Sequence, residues 1–430
     1  MSVKSPEQLI DEKPIYSEQN YILYKKIQQI LPQIDMTLTN PLNSKEVGKI
    51  NQVNLDRDSS DEIVVFEKID KIVEEESEIN SEIIVSLIDV KDNKLKKIDN
   101  IIEAGNSIEY ANFYDLNSDG IKEIILLVKN IKETNLFVYE LKDNELEKIY
   151  TLKSEWISGK ENIKDIKVFI DFINSDDILD ILVTSHNFLE NKAYISVLNY
   201  TDKIKLIDFK EIEDVRNINS SYITFGNLDK NKKGIIIDYP SVRQDGYNTK
   251  VFLFENGKLQ DLFENTGVLF KKYFINPRDI NDDGIIEIPM IKNSTDSDFY
   301  INWNKLDLTY KDSAKLNFVS QIYYNYDYNF KMELIPNLVD KIYVDEETIQ
   351  DGTILKFNYM DKYKNIKDIF MLKITNKNSK VEEISDISKG EYILLNNYNH
   401  NFNLIINNSK LCETLNINFE TLKNKFSLID

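Results

Sequence analysis

A nine-residue acidic segment occurs five times in this chain, and its regular return restricts the fold more than any other feature. The copies are NLDRDSSDE (54–62), DLNSDGIKE (115–123), FINSDDILD (172–180), NLDKNKKGI (227–235) and DINDDGIIE (279–287), with starts 52 to 61 residues apart. Such a period points to a repeat architecture, in which each unit leaves apolar faces that only its neighbours can bury. The flanks repeat too. A short apolar stretch precedes the loop, as at Ile108 to Tyr114 or Tyr273 to Ile275, and a β-rich run follows most copies: IVVF (63–66), IILLV (124–128), ILVTS (181–185). A second run comes next: EIIVSLIDV (82–90), NLFVYEL (135–141), AYISVLNY (193–200), KVFLFE (250–255), FYINWNKL (299–306). Turns such as KDN (91–93 and 142–144) and ENG (255–257) lead to a fourth strand. Alternating β-branched and aromatic residues read as half-buried strand. The prediction is a mainly β fold, a β-propeller of about five four-stranded blades, or six or seven if residues 1–50 or 300–345 add cryptic ones.

Outside the array the pattern changes. Tyr21, Tyr24, Ile27, Ile30 and Leu31 fall at helical spacing, predicting an amphipathic helix over 18–32 that stops near Pro32. MTLT (36–39) reads as an extra strand. Beyond about residue 325 the acidic segment stops recurring, and strand-like runs lead into a closing helical pattern, FETLKNKFSLI (419–429). The predicted layout is a lead-in over 1–44, the propeller over 45–325, and a small α+β domain over 326–430.

Composition removes several function classes. Net charge is −20 over 430 residues, so no Lys/Arg surplus exists for general nucleic-acid binding. The single cysteine, Cys412, rules out a disulfide framework and a cysteine-based zinc site within one chain. Two histidines, His186 and His400, speak against His-dependent hydrolysis, and no serine nucleophile elbow, phosphate loop or His-x-x-x-His pair is present. No apolar run reaches the roughly 18 residues of a membrane helix. The polar start leaves two readings, a cytoplasmic protein or a mature form without its leader.

The acidic segment suits a hard cation. Calcium takes six to eight oxygens at about 2.3–2.6 Å. Carboxylates or amides at positions 1, 3 and 5, a glycine at 6, a carbonyl at 7 and an acid at 9 supply such a shell. Two copies are complete: Asp115, Asn117, Asp119, Gly120, Ile121 and Glu123, and Asp279, Asn281, Asp283, Gly284, Ile285 and Glu287. The first keeps Asn54, Asp56, Asp58, the carbonyl of Ser60, and Glu62, with Ser59 in place of glycine. The third loses its first ligand to Phe172, keeping Asn174, Asp176 and Asp180. The fourth keeps Asn227, Asp229 and Asn231 but loses the ninth position and gains Lys232 and Lys233, so no calcium is expected there. An Asp/Asn-rich turn can also be held by its own side-chain hydrogen bonds without metal.

On DLNSDGIKEI, DINDDGIIEI and the Phe225–Gly226 pair before NLDKN, residues 45–325 resemble the FG-GAP/VCBS blades of integrin α-subunit heads. The resemblance implies Ca²⁺ at positions 1, 3, 5, 7 and 9 of the complete loops. The whole chain resembles bacterial cell-envelope lipoproteins that join such repeats to a small C-terminal domain. It therefore implies an extracytoplasmic, cell-surface or lipid-anchored place. The expectation is a calcium-binding, non-catalytic binding or scaffold module for protein or glycan, monomeric and not an enzyme. The alternative is a carbohydrate-active enzyme with carboxylates in the propeller cleft.

Overall fold

The computed structural model describes residues 24–27, 29–31, 36–72, 79–91, 94–131, 133–153, 163–174, 176, 178–264, 267, 269–294, 298–309, 314–376, 391–396, 399–407 and 410–429. The polar start, part of the 18–32 helix and the 92–93 part of one KDN turn lie outside those residues.

The fold is mainly β and propeller-like, with six antiparallel sheets of four or five strands among the described residues. The sheets follow one another along the chain, and most run as meanders with neighbouring strands paired in sequence order. The second sheet is typical: Ser107–Tyr114, Glu123–Lys129, Thr134–Lys142 and Glu145–Lys153. Its second strand is buried on both faces except at the last residue, while its fourth is buried only at Leu146 and Leu152. A continuous apolar run bounded by turns is what a strand covered from both sides requires.

The cover comes from the neighbouring sheets. Ile124, Leu126 and Val128 share a core with Val64, Phe66, Ile83 and Val85 of the first sheet. Ile125 and Leu127 point the other way and share a core with Ile181, Val183 and Tyr194 of the third. Leu182, Ile195 and Val197 of the third sheet in turn meet Ile235, Ile237 and Phe252 of the fourth. The period-two alternation of side chains thus joins each sheet to its predecessor and its successor.

At the amino end, the backbone is helical over 24–27 and 29–30. Ile27 and Leu31 are buried against Ile63, Val65 and Ile88 of the first sheet. The MTL strand joins that sheet too, with Met36 opposite Ile69.

Two compact units divide the chain. The first is Met1–Phe225, Lys233–Asp245 and Phe252–Asp261; the second is Gly226–Lys232, Gly246–Val251 and Leu262–Asp430, so the fourth sheet contributes to both. The second unit holds the fifth and sixth sheets. The fifth contains Ile288–Ser294, Asp298–Asp307, Lys315–Asn325 and Phe330–Glu333, and Phe426–Leu428 completes it. The sixth spans Ile342–Ile349 to His400–Ile406 and carries no acidic loop, so counting loops could not find it. Two short helices, Lys410–Leu415 and Phe419–Lys423, follow, and Asn418 and Thr421 form a reciprocal capping box at the second.

Phe330, Phe357, Phe370, Phe402 and Leu422 share one core, which spans both sheets and the last helix. Phe330 is fully buried, 5.9 Å from Phe402 and 5.2 Å from Phe426 between ring centroids. Truncating it leaves a cavity between the two sheets. Phe330→Ala is expected to lower stability by about 3–5 kcal/mol, read as the urea midpoint followed by near-ultraviolet circular dichroism. A loss below about 1 kcal/mol would refute this packing.

Candidate metal loops and a half-open cavity

Each acidic loop leads into a strand of its sheet, and four of the five close in the same way. The residue before position 1 pairs with the acid at position 9: Val53 with Glu62, Tyr114 with Glu123, Asp171 with Asp180. In the fifth loop an isolated bridge between Arg278 and Glu287 does the same. Position 4 takes left-handed backbone, with φ of 64° at Arg57, 61° at Ser118 and 60° at Asp282. Gly120 and Gly284 at position 6 also have positive φ, 92° and 80°, where glycine avoids the Cβ clash.

The ninth acid is buried, and the reason lies at position 2. Leu55, Leu116, Ile173 and Leu228 at that position are fully buried. The amide of position 2 follows its side chain inward and needs an acceptor. Leu55 N–H donates to Glu62 Oε2 at 2.8 Å, Leu116 N–H to Glu123 Oε2 at 2.8 Å, and Ile280 N–H to Glu287 Oε2 at 2.9 Å. The second oxygen has no hydrogen-bond partner in three loops: Glu123 Oε1, Asp180 Oδ2 and Glu287 Oε1. Burial raises these carboxyls. Glu123 is pushed up to about 7 by desolvation, against the pull of the Leu116 amide and with added repulsion from Asp119 and Glu140. Asp180 is pushed up to about 7, again by burial, with Asn199 and the Ile173 amide pulling the other way. Glu62 is raised by burial, and Asp56 and Asp58 add repulsion.

The outer positions fold back on the loop's own amides. Asp115 accepts from Asp119 N–H at 3.0 Å and Gly120 N–H at 2.9 Å, and Asp119 accepts from Ile121 N–H at 2.8 Å. Asp279 and Asp283 accept from Gly284 and Ile285 in the same way, at 2.6 and 3.1 Å. In the first loop Asp58 accepts from Ser60 N–H at 2.6 Å, and Asn54 donates to the carbonyl of Ser60 at 3.1 Å. Neighbouring loops are tied together: Lys122 N–H donates to the Leu55 carbonyl at 2.8 Å, and Ile286 N–H to the Asn227 carbonyl at 2.9 Å. Gly226 sits 2.4 Å, measured from an added Cβ, from Ile286 Cδ1, which explains glycine in the Phe225–Gly226 pair.

Two acidic triads could hold a metal ion: Asp56, Asp58 and Glu62, and Asp279, Asp283 and Glu287, each with ligand atoms within 4.8 Å of one another. Two oxygens on opposite sides of a calcium ion lie about 4.6–5.2 Å apart, so the spacing suits such an ion. The acids of the 115–123 loop do not converge to that spacing, though Glu123 supplies a buried oxygen with no hydrogen-bond donor.

The position-2 residues stand in the repeat as Leu, Leu, Ile, Leu and Ile, but only the folded chain shows them to be the reason for burial at position 9. No sequence pattern pointed to a half-open cavity of about 440 Å³ beside the first strands of the second and third sheets. Asn43, Glu109, Tyr110, Lys129, Lys167 and Phe169 are among the residues that line it. Ser107 Oγ donates to Glu109 Oε1 at 2.6 Å, and Lys167 Nζ donates to the Asn219 carbonyl at 2.5 Å.

The sequence matches no family model and no curated protein. Among solved structures, the chain is similar in course to the exotype rhamnogalacturonan lyase YesX, with 9% identity, 78% of this chain and 84% of that one covered, and a TM-score of 0.31. It is similar also to rhamnogalacturonan lyase YesW (10%, 86% and 91%, TM-score 0.33) and to a rhamnogalacturonan lyase of Bacillus licheniformis (9%, 86% and 91%, TM-score 0.31). Likeness at this level transfers neither substrate nor mechanism. These neighbours are enzymes, however, and on that finding the expectation of a non-catalytic module, not an enzyme, is corrected. That expectation assigned the carboxylate clusters to the loops and had no view of Glu109 in a cavity.

Asp180 gives a pH test. An acid raised in the folded state binds its proton more tightly there than in the unfolded chain. Stability is therefore lost as pH rises from about 4, the unfolded value, to about 7. Asp180→Asn keeps an acceptor for the Ile173 amide and removes the charge. The variant is expected to match the parent at pH 4 and exceed it at pH 8 in urea denaturation without added metal. An equal fall in both proteins over that range would count against the buried carboxyl.

Proposed function

We propose that this protein is a calcium-loaded, carbohydrate-active enzyme whose first and second acidic loops hold structural Ca²⁺. The cavity between its second and third sheets takes a segment of polysaccharide. The observation that carries the enzymatic reading is the lining of that cavity: two aromatic residues, amide and hydroxyl groups, two lysines and one carboxylate. Saccharide sites combine apolar ring faces with a few placed polar groups. Tyr110 and Phe169 offer the faces, Asn43, Asn219 and Ser221 the hydrogen bonds, and Lys129 and Lys167 the charge for an acidic sugar. Glu109 is the group placed to move a proton. The lyase neighbours act, by name, on rhamnogalacturonan, and that polymer belongs among the first substrates to try.

Calcium is the ion of choice because the loops offer only oxygen donors, unevenly placed, which suits its variable coordination more than the strict octahedron of magnesium. Its part is structural: it supplies positive charge where Asp56, Asp58 and Glu62, or Asp115, Asp119 and Glu123, would otherwise repel. The ligand set read for the first loop is Asn54, Asp56, Asp58, Ser60 and Glu62. For the second it is Asp115, Asn117, Asp119, Ile121 and Glu123. Modules of this kind bind at about 10⁻⁴–10⁻³ M when they work outside the cell. Sites of that strength fill only in a calcium-rich setting, so the proposal places the protein outside the cytoplasm, as an envelope-anchored monomer of the FG-GAP/VCBS type.

Two measurements test this reading. Raising calcium to about 100 times its Kd is expected to add about 2.7 kcal/mol for each site filled, seen as a higher melting temperature that a chelator reverses. Identical melting curves with calcium and with chelator would remove the ion. Incubation with a polysaccharide panel that includes rhamnogalacturonan is expected to release new chain ends. Glu109→Gln should reduce that release at least about 100-fold while melting as the parent does. An intact panel after incubation with folded, calcium-loaded protein would refute the enzyme.

A further inference from the structure

The fifth loop differs from the others in what faces its ninth position. Glu287 lies one step beyond the pairing of Ile288 with Asn304, so the residue opposite it on the next strand is Lys305. The same step in the first sheet, beyond Ile63 and Ile88, places Asp89 opposite Glu62. In the second sheet, beyond Ile124 and Tyr139, it places Glu140 opposite Glu123. In the third, Asn199 pairs with Asp180 directly and donates to its Oδ1 at 3.2 Å. One register position thus carries an acid, an acid, an amide and, in the fifth sheet alone of these four, a cation.

The lysine reaches into the acidic triad. Its ammonium forms an ion pair with Asp283 and stands 3.7 Å from Glu287 Oε1. Glu287 is fully buried, and Oε1 is the oxygen that no hydrogen bond satisfies, while Oε2 holds the Ile280 amide. Three acids, Asp279, Asp283 and Glu287, surround the position, and the Lys305 side chain is 26% exposed. A tethered ammonium here supplies the positive charge that a divalent ion would bring, with no loss of freedom by a dissolved ion.

We propose that Lys305 occupies the cation position of the fifth loop, so that this loop is closed by an internal ammonium and takes up calcium only when that side chain is removed. The inference rests on the calcium reading of the acidic loops. It assigns opposite states to two loops of equal ligand content: the second loop, faced by Glu140, needs an external ion, and the fifth, faced by Lys305, does not.

Calcium stoichiometry by isothermal titration of the full chain decides the matter. The parent and Asp283→Asn are expected to bind the same number of ions, because the fifth loop of the parent holds none. Lys305→Met is expected to bind one more, and the double variant Lys305→Met/Asp283→Asn to return to the parent count. One ion fewer in Asp283→Asn than in the parent would overturn the inference, and that comparison needs no lysine variant to fold. An unchanged count in a folded Lys305→Met protein would overturn it too. A parent that binds no ion beside a Lys305→Met protein that binds one would support the lysine and refute calcium at the first two loops.

Discussion

The fold depends on a buried hydrogen bond between the ninth-position carboxylate and the amide at position 2 in four of the five acidic loops. An apolar side chain at position 2 enters the core, and its amide goes with it. An acceptor must follow, and the chain supplies it from the first residue of the next strand. This one contact fixes how two strands leave the loop and so sets the register on which the sheet-to-sheet cores are built. Breaking it would leave an amide buried without an acceptor, at about 1–3 kcal/mol.

The same contact creates an electrostatic demand. A carboxylate with one oxygen on an amide and the other facing no donor is costly to ionise in an apolar setting, and outer-loop acids add repulsion. The chain meets that demand in different ways from loop to loop. Asn199 donates an amide in the third sheet, Lys305 supplies an ammonium in the fifth, and the fourth loop has Ile235 in place of an acid. The first two loops keep their full acidic complement, with Asp89 and Glu140 opposite. Divergence among the copies therefore reads as a set of solutions to one charge problem rather than as plain decay.

Much of this architecture was legible in the sequence. The loop repeat located the first five sheets, because a two-strand closure needs its turn residues at fixed offsets. The runs 124–128 and 181–185 marked strands, which the structure buries on both faces rather than one, and MTLT marked a strand that pairs with the first sheet. The sixth sheet was legible only as strand-like runs, since 342–406 lacks the loop that indexes a blade. The loop ligand types were visible too, whereas Lys305 was not. It lies 18 residues beyond Glu287 in sequence and reaches it only through strand pairing. The cavity residues were equally hidden, because Tyr110 and Phe169 look like ordinary strand aromatics until two sheets bring them to one space.

The last strand has a consequence for how the protein is made. Phe426–Leu428 pairs with Phe330–Glu333, and Phe426 covers Phe330. A ribosome makes those three residues well after the strand they pair with. Until then the 330–333 strand presents an unpaired edge beside a bare aromatic surface, the combination that invites pairing with another nascent chain. The first unit can be complete while the second still waits. A chain cut short before residue 426 would thus have a sound first unit and an adhesive remainder.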